Sequence, residues 1–560
     1  MTPKEGEDMS DEAQKSASDK INDPEDEKES YRIYAAISYA FILIVIGLPL
    51  WWKTTEVYRV TLPYKQINEL DGLNTTIAMN ISLSTLDAAR GEKLANNDLN
   101  ELFKTSKLFN LKFIPKNLEK KHLASVHSVQ DLENGSFQPS KPGELLLLEV
   151  PGLSRFTPGH VLAGVKRTIY FSSDTTAIKL NEALDMWLLH EKSLKQMVAA
   201  MTSPTEADQD HSGRRRIPAA AEYDIMITVV NPEPEKLQLD WDLHEAIKDY
   251  IEPFLNELSP LVRYTVKSQW LYFVTLNVQP KLVTDPATGR QHYALAEDIL
   301  PQIITPLEKK LASHVSKNPC LNFVVYVPPC NAAPLHIYRR QGIRVKGGVD
   351  AFLSPRWGGI VINNPSSIIC NNISIPEPKI YSPDAVSIMG VFLAQMRLLM
   401  GIPELDPVPR ADRVPLLTTS LRQWELDSLF RVRTLEQLTS AKLTLQSLSQ
   451  LLGEISNIVI NDAVGDSIFQ AVDSIERAAE FLTVGKLMEA FNESKNAFLS
   501  AEAAFTDPSL LALLYFPDDQ KYAVYIPLFL PVMIPVIMSL KNIRSWFSSK
   551  SSSKSKVKKE

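Results

Sequence analysis

The residues with the greatest potential for chemistry are three cysteines, at positions 320, 330 and 370, and nine histidines in a chain of 560 residues. His190 and His244 are each followed by glutamate, but neither pair has the second histidine of an HExxH zinc site. No GxSxG, GxGxxG or GxxxxGK motif occurs. Folding could bring a cysteine and a histidine together as nucleophile and base. Because each lies in ordinary helical, strand or loop sequence, we interpret them as structural.

The cysteines predict one disulfide bond and one free thiol, because none forms a CxxC pair typical of zinc or redox sites. Cys320 and Cys330 flank LNFVVYVPP, which if extended holds their Cα atoms about 30 Å apart, beyond disulfide reach. Cys370 is therefore the expected partner. Antiparallel pairing of GGIVINN (358–364) with LNFVVYV favours Cys320, whereas parallel pairing favours Cys330. We prefer Cys320 with Cys370.

Glycosylation sequons of the form Asn-x-Ser/Thr lie only between two long apolar segments and not in the terminal tails. This placement agrees with a middle region that faces the lumen of the endoplasmic reticulum. One of them, in NNISIP, is preferred because it lies beside proline in a predicted loop. The five candidates are Asn372, Asn74, Asn80, Asn134 and Asn492.

The first apolar segment, residues 34–52, predicts a transmembrane helix. Ala35 to Trp52 carries no charge and is about long enough to cross a hydrocarbon core of roughly 30 Å. Arg32 and Lys53 limit the apolar run, and Arg32 is a candidate contact for anionic lipid headgroups, with a topology signal as the alternative. A cleaved signal peptide is disfavoured because a long acidic tail precedes the segment.

The second apolar segment, residues 522–540, predicts a second transmembrane helix with an unusual proline pattern. Pro527, Pro531 and Pro535 recur every four residues and so lie near one face of the helix. Each proline lacks an N–H and clashes with the preceding turn, and lipid cannot satisfy the freed carbonyl groups. We predict that this face contacts partner helices; a bent helix repaired by its own local adjustments is the alternative.

The two tails differ in charge. Residues 1–30 contain eleven Asp and Glu and four Lys, which predicts a disordered acidic tail. Residues 541–560 carry seven Lys and Arg against one Glu, which places this basic tail, and with two spans also the N-terminus, in the cytosol. Lys556 and Lys558 resemble a dilysine retrieval signal, with a basic membrane anchor as the alternative. The net charge of −7 argues against a nucleic-acid binder.

Between the spans, the sequence predicts an α/β domain with a mixed sheet over residues 53–410 and an antiparallel helical bundle over residues 411–521. EVYRVTL predicts a short strand after the first span, and strand-like and helix-like segments alternate from Glu222 to GGIVINN. Later, apolar residues recur at steps of three, four and seven in three segments, which is typical of helices packed in a bundle. Arg214 to Arg216 predict an exposed loop.

Five stretches carry a resemblance to a known family. They are GLPLWWKTTEVYRVTLPY from Gly47, SPRWGGIVI from Ser354, FLAQMRLLMGI from Phe392, LLGEISNIVIND from Leu451 and YFPDDQKYAVYIPLFLP from Tyr515. Together they resemble the PIG-S family, the class S subunits of the glycosylphosphatidylinositol (GPI) transamidase. The resemblance extends from the first span to the end of the second and includes a sequon at Asn372. None of these stretches carries a catalytic signature.

The resemblance implies a non-catalytic structural subunit of the endoplasmic reticulum membrane with no cofactor. It also implies that the complex removes a C-terminal hydrophobic signal from its client and joins the new carboxyl end to a GPI lipid. The implied partners are PIG-K, which holds the nucleophilic cysteine, PIG-T, PIG-U, the GPI attachment subunit and membrane lipid. A membrane-anchored lumenal hydrolase or glycosyltransferase with an unrecognised site is the alternative hypothesis.

Overall fold

The computed structural model describes residues 24–56, 58–104, 106–116, 128–150, 159–203, 215–285, 289–340, 342–345, 347–371, 378–402, 404–416, 421–455, 458–512 and 518–556. The chain forms two compact units. Unit 1 comprises Met1–Leu62, Gln450–Gly465 and Thr506–Glu560, and unit 2 comprises Pro63–Ser449 and Asp466–Phe505.

The strands of the described chain all lie in unit 2. They are β1 (Ile77–Ser84), β2 (Phe109–Pro115), β3 (Leu145–Glu149), β4 (Val161–Ala163), β5 (Thr168–Phe171), β6 (Glu222–Asn231), β7 (Leu237–Leu239), β8 (Arg263–Tyr272), β9 (Lys281–Thr284), β10 (Gln291–Ala296), β11 (Cys320–Tyr326), β12 (Leu335–Tyr338), β13 (Asp350–Ser354), β14 (Gly358–Ile362), β15 (Lys379–Tyr381) and β16 (Ala411–Arg413).

The α-helices alternate with these strands and then dominate the C-terminal part. They are Pro24–Phe41, Leu48–Thr55, Tyr64–Glu69, Ala88–Lys93, Asn100–Phe103, Val129–Glu133, Ala177–Leu184, Glu191–Thr202, Leu243–Ala246, Glu252–Leu258, Leu300–Glu308, Ser367–Asn371, Ala385–Met400, Gln423–Glu454, Asp462–Val484, Leu487–Phe505, Pro508–Ala512 and Asp518–Lys556.

Two mixed sheets form the α/β part of unit 2, as the sequence predicts. The six-stranded sheet has the order β16-β4-β5-β3-β1-β2 and is parallel except for the β4–β5 pair. The five-stranded sheet has the order β13-β14-β11-β6-β8 and is parallel except for the β13–β14 pair. A three-stranded sheet, β12-β10-β9, and a pair, β15-β7, are smaller.

Both faces of the five-stranded sheet are buried, which explains why its central strands are almost wholly apolar. One face of β6, including Ile225 and Ile227, packs with Phe254 and Phe392 of neighbouring helices. The opposite face, including Val230, packs in a second cluster with the helix Leu300–Glu308. The result is the layered α/β packing that strand and helix alternation predicts.

Three long helices follow the sheets and are called the first (Gln423–Glu454), second (Asp462–Val484) and third (Leu487–Phe505) bundle helices. Ser494 of the third helix donates a hydrogen bond to Gln437 of the first over 2.9 Å. The predicted apolar stripes are largely buried, including Leu435, Leu438, Leu445, Leu448, Leu452, Ile468, Val472, Ile475, Ala479 and Leu482. Phe505, the last residue of the third helix, is 46% exposed.

Buried ion pairs join the first bundle helix to the rest of unit 2. The Arg167 guanidinium binds both oxygens of Asp427, with Nε 2.7 Å from Oδ2 and Nη2 2.9 Å from Oδ1. Glu425 accepts from Arg397 over 2.8 Å and pairs with Arg422 over 3.3 Å. Arg167 and Asp427 are 260 positions apart, so periodicity does not predict that pair, whereas Arg422 and Glu425 are only three positions apart.

The predicted arginine loop is only partly a loop. Arg215 is exposed, but Arg216 is buried and pairs with Glu436 over 3.5 Å, and Arg433 pairs with the same carboxylate over 2.7 Å. Arg214 lies outside the described residues. The solvated-loop interpretation is therefore wrong for Arg216, because a buried carboxylate neutralises it.

In unit 1 the two apolar helices pack side by side. The Trp51 ring lies 5.5 Å from Phe529 and 6.0 Å from Tyr525, and the Tyr34 ring lies 6.5 Å from Trp546, between ring centroids. The contacts run in opposite order along the two helices, which are therefore antiparallel. Candidate spans cover Tyr31–Lys53 and Ala523–Trp546.

Both helices extend beyond the predicted limits. The first begins at Pro24, so residues 24–30 of the predicted disordered tail are helical, and the second runs from Asp518 to Lys556. The segment EVYRVTL contains one isolated bridge, between Arg59 and Ile460, instead of the predicted strand. Residues 1–23 lie outside the described part of the chain.

The Arg167–Asp427 pair gives the first testable prediction. Asp427→Ala leaves a buried guanidinium without its bidentate partner and should lower the free energy of unfolding by about 3–5 kcal/mol. The control is Lys65→Ala, since Lys65 and Glu69 form a fully exposed pair 3.8 Å apart, and exposed pairs contribute little. Denaturant unfolding of the detergent-solubilised full chain measures both. Equal stability of the two variants would contradict the role of the buried pair.

Candidate functional site

One disulfide bond joins Cys330 and Cys370, whose Cα atoms lie 5.2 Å apart. The preferred pairing of Cys320 with Cys370 is therefore wrong. β14 runs parallel to β11, so the ends of both strands lie at the same edge of the sheet. Cys330 and Cys370 follow these two ends, whereas Cys320 begins β11 at the opposite edge. The two strands pair in the parallel arrangement, which is the one that favours Cys330 as the partner of Cys370.

Cys320 is the free thiol, and its surroundings suppress its reactivity. Burial, together with the nearby Asp224 carboxylate, raises the pKa of Cys320 to about 11. The attacking species of a cysteine nucleophile is the thiolate, which is scarce at neutral pH when the pKa is this high. The Sγ atom lies 3.9 Å from both Leu321 O and Asn322 Oδ1. Neither this carbonyl oxygen nor this amide oxygen can act as a general base.

His190 lies between two helical segments. Its backbone is left-handed, with φ 47° and ψ 41°, between a π-helical turn that ends at Leu189 and the helix that begins at Glu191. Burial, and then the positive charge of Arg431, lower the pKa of His190 to about 4. The imidazole is therefore neutral at pH 7. His244 lies exposed on a separate short helix.

A cluster of polar residues connects the three-stranded sheet to β13. His336 Nδ1 lies 2.7 Å from Asp350 Oδ2, and Asp350 Oδ1 accepts the Ile337 N–H over 2.9 Å. His292 Nε2 lies 2.5 Å from the Tyr338 hydroxyl. The cluster resembles the orienting half of a catalytic triad, but among the described residues no serine or cysteine forms a hydrogen bond with it. Its members come from different strands, so sequence patterns gave no signal for it.

The sequons differ in accessibility. Asn74, Asn80 and Asn134 are exposed, the first before β1, the second on β1 and the third at the end of a short helix. Asn492 is exposed on the third bundle helix, but the hydroxyl of its sequon, Ser494, is fully buried. A surface loop is the usual setting of a glycosylated asparagine, so Asn74 and Asn134 fit best. Asn372 lies outside the described residues.

The membrane-facing candidates lie on the two helices of unit 1. Arg32 is exposed on the first helix, two residues before Tyr34. All three prolines are exposed and lie within one continuous helix, away from the Tyr525 and Phe529 rings that contact the first helix. Lys556 is the last residue of that helix, and Lys558 lies outside the described part.

Across the described residues, no group of three or more His, Cys, Asp or Glu side chains is arranged to hold a metal ion. A family model described as phosphatidylinositol-glycan biosynthesis class S protein, PIG-S, matches residues 38–550. The chain belongs to the PIG-S family. The human GPI-anchor transamidase component PIGS is 36% identical over 543 residues, which cover 91% of this chain and 96% of the human protein.

Two further relatives extend this similarity. The rat protein of the same name is 36% identical over 544 residues, with coverages of 91% and 96%. The Schizosaccharomyces pombe protein named GPI transamidase component PIG-S homolog is 25% identical over 527 residues, with coverages of 91% and 82%. The similarity therefore spans nearly the whole chain in animal and fungal relatives.

The PIG-S-like stretch SPRWGGIVI has a clear structural role in this chain. Its last five residues form β14, where Gly358 has φ 144° and a Cβ atom would lie 1.8 Å from Asn322 O. A Cβ on Gly359 would meet the Gln395 side chain at 2.0 Å. The two glycines let β14 approach β11 and the helix Ala385–Met400, so this stretch serves packing.

The low reactivity of Cys320 gives the second prediction. A thiol with a pKa of about 11 holds roughly a hundredfold less thiolate at pH 8 than a free cysteine of pKa about 8.5. Iodoacetamide labelling of Cys320 in the folded full chain should therefore be at least about a hundredfold slower than in the denatured chain. The labelling rate should rise about tenfold per pH unit up to about pH 10. Labelling at the free-cysteine rate would contradict the shifted pKa.

Proposed function

We propose that this chain is a non-catalytic structural subunit of the GPI transamidase in the endoplasmic reticulum membrane. The observation that carries the proposal is the near full-length similarity to proteins named GPI-anchor transamidase component. The complex cleaves the C-terminal signal of a client and attaches a GPI anchor, and this chain positions or stabilises other subunits rather than reacting.

The chemistry of the described residues supports the non-catalytic assignment. Two of the three cysteines form a disulfide bond, and the third is a protonated thiol. His190 is neutral and partly buried, and among the described residues no serine or cysteine contacts the His336–Asp350 pair. The family resemblance implies that catalysis belongs to another subunit, PIG-K, and we propose PIG-T, PIG-U and the GPI attachment subunit as the other partners.

The proposed topology has two spans, a large lumenal region and both termini in the cytosol. The antiparallel packing of the two apolar helices supports it, because antiparallel spans bring their outer ends to the same side of the bilayer. The basic charge of residues 541–560 supports a cytosolic location for both ends. We also propose that the lumenal region divides into an α/β domain, residues 53–410, and a helical bundle, residues 411–521. Lys556 and Lys558 are proposed to act as a retrieval signal.

The bundle is proposed to be antiparallel between its second and third helices. Gly485, with φ 80°, makes the turn between them, and Arg477 Nη2 lies 3.6 Å from Glu493 Oε2 across it. A connection this short leaves two helices side by side in opposite directions.

The function itself is tested by assembly and rescue. The tagged full chain, expressed in cells that lack their own class S subunit, should restore GPI-anchored proteins to the cell surface and should co-purify with the other transamidase subunits. Rescue with Cys320→Ser should be unimpaired, because the thiol takes no part in the reaction. Failure of the wild-type chain to co-purify with any subunit would refute the proposed function.

The topology gives the third prediction. Removal of N-linked glycans should increase the gel mobility of the full chain, because the sequons between the spans face the lumen. Protease added to intact microsomes should trim only the tails, and detergent should then expose the middle region. Digestion of residues 53–521 in intact microsomes would contradict this arrangement.

The proline face gives the fourth prediction. Replacing Pro527, Pro531 and Pro535 together by leucine restores the backbone donors and keeps the helix apolar, so insertion should persist while co-purification of other subunits decreases several-fold. The matched control replaces the exposed residues Leu528, Val532 and Ile537 by alanine. Wild-type assembly of the triple leucine variant would exclude the prolines as a contact face.

Arg32 is proposed to contact anionic headgroups on the cytosolic side.

A further inference from the structure

Arg431 is a buried cation of the first bundle helix that has no carboxylate of its own. The residue is 2% exposed. Asp427 lies one turn earlier and acts on the Arg431 charge, but the Arg167 guanidinium already binds both Asp427 oxygens. Among the residues that the structure describes, no acidic oxygen forms an ion pair with Arg431. Two cations and one carboxylate therefore leave one uncompensated positive charge inside unit 2.

The two other buried carboxylates of this helix cannot supply the missing charge, because each already has two arginine partners. Glu425 pairs with Arg397 and Arg422, and Glu436 pairs with Arg216 and Arg433. His190 adds no charge, since burial and then the positive charge of Arg431 lower its pKa to about 4. The effect of Arg431 on His190 also indicates that Asp427 does not cancel the charge of Arg431.

The direct contacts of the Arg431 guanidinium are to neutral atoms. Nη2 donates to Leu188 O over 3.0 Å, and Nη1 lies 3.5 Å from Met79 Sδ. The buried Nε atom has no hydrogen-bond partner within the described ranges. A carbonyl group and a thioether cannot neutralise a full charge, and a buried ion is stable only when it is paired. The site thus lacks an anion.

A small cavity lies against Arg431. Its volume is about 10 Å³, which is close to the space that one water-sized occupant needs. The other walls come from the start of β1, from Gly143, and from the turn between the second and third bundle helices. No Asp or Glu is among these described wall residues, so nothing acidic competes with an anion for the space.

The third bundle helix begins at this cavity. Leu487, its first residue, is part of the wall. The Ala490 N–H donates to Lys486 O over 3.0 Å and opens the hydrogen-bond ladder of the helix. The N–H groups of Leu487 and Met488 precede that bond and have no acceptor within the helix. The cavity therefore meets the positive end of a helix of 19 residues.

The carbonyl end of the second bundle helix lies in the same turn but is capped. Phe481 O accepts the Lys486 N–H over 2.9 Å, and Leu482 O accepts the Gly485 N–H over 3.2 Å. Gly485 has φ 80°, the left-handed geometry of a helix C-terminus closed in this way. The negative helix end is thus satisfied locally, whereas the positive end and Arg431 are not.

We propose that this cavity binds a small monovalent anion, chloride or another halide, as the counterion of Arg431. The guanidinium supplies the opposite charge and an Nε–H that has no acceptor. The start of the third bundle helix supplies backbone N–H groups and its positive end. A phosphate or carboxylate ligand is too large for the volume. The ion would join β1 to the first and third bundle helices, and it is independent of the proposed function.

Thermal unfolding of the detergent-solubilised full chain tests the site. The chain is titrated with sodium chloride against sodium gluconate, whose anion is too large for the cavity, at constant ionic strength. Because an anion that binds only the folded state stabilises it, Tm should rise with chloride and level off after an increase of at least about 2 °C. Bromide should replace chloride. Equal Tm values in chloride and gluconate overturn the proposal.

A substitution locates the ion. Arg431→Met removes the charge and keeps an unbranched side chain, so the chloride dependence of Tm should vanish. The matched control is Arg263→Met, since the Arg263 side chain is 81% exposed and its loss should leave the dependence intact. An Arg431→Met chain that responds to chloride like wild type places the ion elsewhere and overturns the site.

Where Arg431→Met fails to fold, the wild-type chain decides. Crystals of the full chain grown in bromide should show anomalous density beside the Arg431 guanidinium. An ordered water at that position, or no density, overturns the proposal. None of these outcomes bears on subunit assembly, so the proposed function is tested separately.

Discussion

The first bundle helix carries carboxylates that are buried and neutralised by arginines from elsewhere in unit 2. Asp427 is held by Arg167 and Glu425 by Arg397, so withdrawing the helix would leave charges of both signs without partners. The effective penalty for such a buried charge is several kcal/mol. Phe430 and Phe491 of the bundle also share a core with the five-stranded sheet. Sheets and bundle helices therefore depend on one another for stability.

This dependence is consistent with the proposed non-catalytic role, in which the subunit acts through its surfaces rather than through an internal site. The side chains with the most potential for chemistry have structural roles: Cys330 and Cys370 form a disulfide bond, Cys320 is a protonated thiol, and His190 is a neutral, partly buried ring. A unit that is held together by internal ion pairs presents its exposed surface to a partner with little rearrangement. Pre-organised surfaces of this kind lose less entropy when they bind.

Sequence patterns predicted the elements that are encoded locally. The helix Ala385–Met400 begins after the Asp384 cap and ends at Gly401 with φ 92°, as its terminal residues indicate. The relative direction of β11 and β14 is not encoded locally, because two strands intervene between them in the chain. The sequence alone therefore favours the wrong cysteine, Cys320, as the partner of Cys370. The Arg216–Glu436 pair also joins residues 220 positions apart, and no periodicity reports such a partner.

The segment after the first span illustrates the same limit. The alternation in EVYRVTL indicates extended backbone, but the partner of this segment lies about 400 residues later in the chain. Tyr58 OH donates to Asp462 over 2.8 Å, and the Val60 N–H donates to Ile460 O over 3.1 Å. The Arg59 guanidinium donates to Leu452 O and Ile455 O, which places a cation at the C-terminal end of the first bundle helix. Residues 58–60 follow the first span closely in the chain, so a shift of that span would strain these hydrogen bonds.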